Sequence, residues 1–247
     1  MVPCVIFSLL IQLLYENNVC LLQINILIMK KLFFILVFCA FTNLAFSQYR
    51  NRDGNRIGLS AGVSQTSLFT SDFDAKPGMG FAGGLSVRGN YYNNWSMIYG
   101  MQFFSNNFSL ESTSLTSLAK ETEFNLQGVQ VRLLLSYNVV ENHVSFDFGP
   151  VLQINGKLSV NERDQNNILN GTALTAKKIE EVSTINGNFY AGFSAGGKVV
   201  RAVIFYEYGF TNIFSKLNKN DDFKLLTGNE SIKGNLGTIN GQIIFNL

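Results

Sequence analysis

From residue 48 to its end the chain contains no cysteine; Cys4, Cys20 and Cys39 all precede that point. This removes disulfides, thiolate nucleophiles and cysteine metal sites from most of the sequence. It also suits export into an oxidising compartment, where a stray thiol is a liability. Histidine is almost missing as well, since His143 stands alone. A zinc or copper centre would lack a second imidazole, and a Ser–His–Asp arrangement would hang on one residue beside a turn. No metal, no cofactor and no enzymatic activity are therefore expected. A surplus of one charge sign is lacking too. Of 19 Lys and Arg and 17 Asp and Glu, Lys30, Lys31 and Glu16 lie before residue 48, leaving the remainder close to neutral. Nucleic acid is excluded as a partner, because binding its phosphates needs a concentrated basic face. No Pro-rich or Ser-rich linker divides the chain after residue 48.

What that part does contain is alternation. In 144–154, Val144, Phe146, Phe148, Pro150, Leu152 and Ile154 fall on one parity, against Ser145, Asp147, Gly149, Val151 and Gln153 on the other. Similar stretches cover 56–66, 79–90, 95–103, 122–138, 185–198, 201–213 and 239–247, making eight strands. A soluble protein turns its apolar parity into a core, whereas a membrane barrel turns it outward and encloses the polar one. The pattern predicts an all-β, eight-stranded, antiparallel, up-and-down transmembrane barrel. One segment breaks phase: Phe124 and Leu126 lie on the opposite parity from Val129 to Tyr137, with Gly128 between them. A β-bulge at Gly128 is expected to restore a single apolar face.

The connections set the orientation. Those after the second, fourth and sixth strands are short, at 91–94, 139–142 and 199–200, and the others are longer, above all 159–184. Short periplasmic turns and long external loops are the rule in outer-membrane barrels. An even strand number also closes the sheet without an edge, as lipid requires. Tyr91, Tyr92, Trp95, Tyr137, Tyr206, Tyr208 and Phe210 cluster near strand ends and suit interfacial girdles.

The segment before the barrel is read separately. Met29-Lys30-Lys31, an apolar run from Leu32 to Ala45, and Phe46-Ser47-Gln48 have the three parts of a secretory signal. The expected organisation is a signal peptide at 29–47 and a barrel domain at 48–247. Residues 1–28 are read as a mis-assigned extension ahead of Met29. The rival is a membrane anchor, but its apolar stretches at 2–14 and 20–28 are shorter than the roughly 20 residues of a spanning helix.

Three short motifs carry a family resemblance. Val129-Gln130-Val131-Arg132-Leu133-Leu134-Leu135-Ser136-Tyr137 resembles a strand written L-x-I-P-L-L-L-K-Y, with Arg132 in place of proline. Phe148-Gly149-Pro150-Val151-Leu152 resembles the G-P-x-x-G/A strand that follows it, and Tyr206-Glu207-Tyr208-Gly209-Phe210-Thr211-Asn212-Ile213 is similar to Y-x-Y-G-L-T-N-I. All three belong to PorT-like outer-membrane β-barrel proteins. The resemblance implies a small outer-membrane barrel without catalytic residues, some members being tied to protein secretion.

The enclosed parity is where chemistry would sit. It holds Arg88, Arg132, Asp147 and Glu207 amid Gln130, Ser145 and Gln153. A turn centred near Val139–Val140 would make Arg132 and Asp147 direct or diagonal neighbours, with Glu207 reaching Arg132 across a narrow lumen. An ion-pair network of structural character is expected, against separately solvated charges. Gly78-Met79-Gly80-Phe81-Ala82-Gly83 spells G-x-G-x-x-G, but no helix is expected to open on it, so a nucleotide site is not. The charged loop 159–184 is either an external recognition surface or a solvated loop. The resulting expectation is a surface-interaction barrel with a side-chain-filled lumen, contacting outer-membrane lipid and partner proteins through its external loops. A small-solute channel and an exported soluble lipocalin-like barrel are the alternatives.

Overall fold

The computed structural model describes residues 55–114, 119–140, 143–170, 172, 174–227 and 230–247. The signal segment, the extension before it and the three cysteines lie outside the described residues. The strands are β1 (Arg56–Phe69), β2 (Ala75–Tyr92), β3 (Trp95–Thr113), β4 (Ala119–Val140), β5 (Val144–Val160), β6 (Ile168–Leu169), β7 (Ile185–Gly196), β8 (Val200–Gly209) and β9 (Asn235–Asn246). Each long strand pairs antiparallel with the next, and β9 pairs back onto β1, with Leu59 opposite Phe245. The eight long strands form a closed ring, and the two-residue β6 adds to the end of β3. No helix among the described residues is long and apolar enough to cross a membrane.

Alternation dictates which side chains face out. Leu59, Phe81, Tyr99, Leu133, Leu152, Phe193, Ile204 and Ile243 are all exposed, one from each long strand, and together they make a continuous apolar belt. Leu133, Leu135 and Tyr208 are exposed and Phe146 and Phe148 half-buried, so none of them enters a dry centre. This is the reverse of a lipocalin, whose apolar parity faces in. The girdle aromatics sit at the belt's margins. At the short-turn end Trp95 packs against Tyr137 at 5.0 Å between ring centres, and at the loop end Phe69 meets Tyr208 at 6.2 Å.

The strands run further than a bilayer needs. A crossing takes roughly 9–11 residues, whereas β3 has 19 and β4 has 22. Past the belt the polarity of the two faces exchanges while parity is kept. Along β4, outward Val129, Val131, Leu133 and Leu135 are replaced by outward Gln127, Asn125, Glu123 and Glu121. Inward Gln130 and Arg132 give way to inward Leu126 and Phe124 on the same side. On β3 the exchange falls after Phe103, where Ser105, Asn107 and Ser109 follow on its parity and Phe104, Phe108 and Leu110 point in.

The expected bulge at Gly128 is therefore corrected. The inward parity is kept along β4 from Thr122 to Ser136, with Gly128 and Val129 both half-buried, and the extra residue sits on the partner strand, where Leu126 faces Leu158 but Gly128 faces Asn155. That places Gly156 and Lys157 opposite Gln127 and shifts the phase of β5, so that Leu158 and Val160 also turn inward. Above the belt both sides of the wall face water, so the hydrophobic effect drives apolar groups into the barrel; within lipid it does not.

The upper core is completed by the connections. Leu174, Ala176, Ile179 and Val182 from 161–184, and Ile213, Phe214, Leu217, Phe223 and Ile232 from 210–234, pack with Phe108, Leu110, Phe124, Leu126 and Leu158 into one buried cluster. At about 1.5–3 kcal/mol per buried large side chain, this cap is ordered by its own burial. The connection 161–184 thus buries Leu174, Ala176, Ile179 and Val182 while Glu162, Arg163, Lys177 and Lys178 stay exposed. On the strands β2, β3 and β4 at this level, exposed Lys76 pairs with Glu121 at 2.6 Å and Glu111 at 3.0 Å. Those hydrogen bonds, Glu121's first, raise the Lys76 pKa above its ordinary value. Their small contribution is present at neutral pH and is lost as pH rises through that raised value.

The polarity exchange makes a direct prediction. Leu133→Arg, in the belt, costs about 2–4 kcal/mol of folding into vesicles. Glu123→Lys, on the same outward face above the boundary, costs close to nothing. Urea titration of refolding into vesicles measures both, and equal costs would remove the boundary.

Candidate functional site

The lumen is built in layers from inward positions of every long strand. At the short-turn end Arg88 of β2 donates to both oxygens of Asp147 on β5, at 3.1 and 3.3 Å, and to the hydroxyls of Ser136, Ser145 and Ser194. Asp147 is buried and also accepts from the Ser145 hydroxyl at 3.0 Å. Arg201 of β8 donates from Nη2 to Ser194 and Ser145 at 3.1 and 3.4 Å. Gly80 and Gly84 let β2 approach this closely, because a Cβ at either would fall 2.3 Å or less from a β3 carbonyl oxygen.

Arg132 takes a different place from the one expected. The β4–β5 register pairs Ser136, not Arg132, with Asp147, while Arg132 faces Val151. The strand runs to Val140, so the turn is centred two residues later than the apolar run suggests, and cross-strand neighbours move accordingly. The Arg132 guanidinium lies over the Tyr190 and Phe205 rings, at 5.9 and 5.5 Å from their centres. Those rings stack on each other at 4.4 Å. Among the described residues, no carboxylate oxygen lies within ion-pair distance of Arg132. Glu207 is buried and accepts from Gln130 Nε2 at 2.8 Å; among the described residues its Oε1 has no hydrogen-bond partner. The four residues named from sequence thus share the lumen, but only Arg88 and Asp147 form a direct pair.

The middle layer was largely missed, because amides carry no charge to attract attention. Gln242 donates to Gln102 at 3.0 Å, Gln102 donates to Gln130, and Gln130 donates to Gln153 at 2.9 Å. The chain continues from Gln153 to Asn155, from Asn155 to Asn186, and from Asn186 to the Thr211 hydroxyl, each step at 2.7 or 2.8 Å. It crosses the barrel from β9 through β3, β4, β5 and β7. The available signal was the inward parity shared by Gln102, Gln130, Gln153 and Gln242.

Other sequence candidates lie apart from this site. The G-x-G-x-x-G letters fall within β2, paired with β1 throughout and with β3 from Phe81 onward, with no helix following. His143 is exposed beside the β4–β5 turn and joins the fold through backbone bonds to Val140 and Gly196. Asp221 is exposed and bound to Lys224 at 2.9 Å, while the side chain of Asp222 lies outside the described residues. Among the described residues, no group of three or more His, Cys, Asp and Glu is placed to hold a metal ion.

No protein-family model matches this sequence, nor does any curated protein. The PorT-like resemblance thus rests on its three motifs alone. Among solved structures the chain is similar to neisserial surface protein A, at 14% identity over 78% of this chain and 98% of that one, with a TM-score of 0.43. It is also similar to Ail, the attachment invasion locus protein of Yersinia pestis, at 13% identity over 78% and 99%, with a TM-score of 0.41.

Proposed function

We propose that this chain is a non-enzymatic barrel of the bacterial outer membrane, closed to solutes, whose working surface is the folded cap of its long loops. The polarity exchange along β3 and β4 carries the reading. A belt that is apolar outside and polar inside, next to a segment that is polar outside and apolar inside, suits a wall half in lipid and half in water. Outer-membrane lipid is then one partner, and proteins or surface polymers met by the cap are the others. The motif resemblance to PorT-like proteins extends this to an accessory role in protein secretion.

Several features oppose the channel alternative. The amide chain, the Arg88–Asp147 pair and the apolar cap succeed one another along the same lumen. An eight-stranded interior is just wide enough for side chains to fill. Purified protein in planar bilayers is expected to give no sustained conductance steps; steady open channels would overturn the closed reading. Location is tested by fractionation. The protein should travel with outer membranes and show a heat-dependent shift in gel mobility, and recovery in the soluble fraction would refute the assignment.

A further inference from the structure

The charged layer contains a cavity whose walls include Arg56, Arg88, Asp147, Arg132, Tyr190 and Gln242. The centre of a water-sized sphere can move through about 30 Å³ of it. Gln242 also begins the amide chain, so that chain bounds the cavity on the loop side. Arg132 is 7% and Tyr190 only 2% exposed. Among the described residues, neither the Arg132 guanidinium nor the Tyr190 hydroxyl makes a hydrogen bond, and Arg132 instead lies over the Tyr190 and Phe205 rings. Glu207 does not line the cavity, yet its charge and that of Arg132 act on each other.

We propose that this cavity is a hydration site, in which ordered water is the acceptor for the Tyr190 hydroxyl and the Arg132 guanidinium. Buried polar groups nearly always have a partner. An arginine side chain carries five N–H donors and no acceptor, and a tyrosine hydroxyl has one donor to place. What binds must therefore accept hydrogen bonds and be small. It need bring no charge, because Arg132 feels Glu207 and Arg88 is paired with Asp147 at 3.1 Å. Water meets all three conditions, and buried waters with two to four polar partners are regular parts of a folded interior. The site rests on the closed-lumen reading in one respect. Water ends at the amide chain, where Gln102, Gln130 and Gln153 are 1%, 3% and 3% exposed.

The test is X-ray hydroxyl-radical footprinting of the folded full-length barrel in detergent, because the radicals form from water and attack the side chains beside it. Tyr190 should be oxidised at least tenfold faster than Phe108 and Phe124, which have no exposed surface. Phe104 points inward on the other side of the amide chain, is 4% exposed, and should stay as unreactive as Phe108. A crystal structure of the same protein should place a water within about 3.2 Å of the Tyr190 hydroxyl and of an Arg132 nitrogen. Tyr190 oxidised no faster than Phe108, or an ion in place of that water, would each overturn the proposal. Oxidation of Phe104 at the rate of Tyr190 would instead refute the closed lumen, with the water beside Tyr190 confirmed.

Discussion

Phe124→Ala lowers the stability of the folded barrel by about 3–5 kcal/mol. Phe124 has no exposed surface and stacks on Phe108 at 5.8 Å, inside the cluster that includes Leu110, Leu126 and Leu158. Removing the ring leaves a cavity between strands whose backbones are paired residue by residue, so the site cannot collapse freely. Phe103→Ala is the comparison. That ring is 67% exposed on the outer wall, just below the polarity exchange. In lipid or detergent it exchanges one apolar neighbour for another, and its loss should cost about 1 kcal/mol or less. Urea titration in vesicles, read by tryptophan emission and by heat-modifiable mobility, compares the two. If Phe103→Ala costs as much as Phe124→Ala, the upper barrel has no dry core of its own.

Arg88→Leu is expected to cost a similar amount, about 3–5 kcal/mol, for a different reason. Asp147 has a side chain only 2% exposed and takes two hydrogen bonds from Arg88. Without them its charge is buried with hydroxyl donors and the more distant Arg201. The pair itself need not be a net source of stability, because desolvating both ions offsets most of their attraction. The double variant Arg88→Leu with Asp147→Leu should therefore recover most of the loss, and the cycle separates pairing from burial. A double variant as unstable as the sum of the two single ones would show that Arg88 acts through its serine contacts instead.

Much of the architecture was legible from alternation alone. Eight stretches, their order and the outward face of the belt follow from residues such as Phe146, Leu152 and Tyr208, because a strand has only two sides. The strands extend beyond those apolar stretches, though. Beyond Phe103 and before Val129 the outward residues turn polar, and a reading that seeks apolar outward positions stops there or invents a slip. Phe124 and Leu126 kept their parity and exchanged their environment instead. Nothing local distinguishes a bulge from such an exchange, since both put apolar residues on the other parity. The real bulge lay opposite, at Gly156–Lys157 on β5.

The lumen was legible in inventory and illegible in pairing. Arg88, Arg132, Asp147 and Glu207 were all assigned to the enclosed side, where the structure places them. Their partners depend on strand register, which a two-residue error in the β4–β5 turn alters, and on contacts across the barrel from strands remote in sequence. Arg88 reaches Asp147 over 59 positions, and Gln242 reaches Gln102 over 140.

The order of residues by itself settled strand number, sidedness and the near-neutral, cysteine-free character of the barrel, since each is a property of neighbours along the chain. Closure of the ring, the height at which lipid gives way to water, and the choice of Arg88 over Arg132 as the partner of Asp147 were decided only by the tertiary structure. Those depend on how far each strand is staggered against the next, and stagger is an energy shared by two segments that neither one encodes alone.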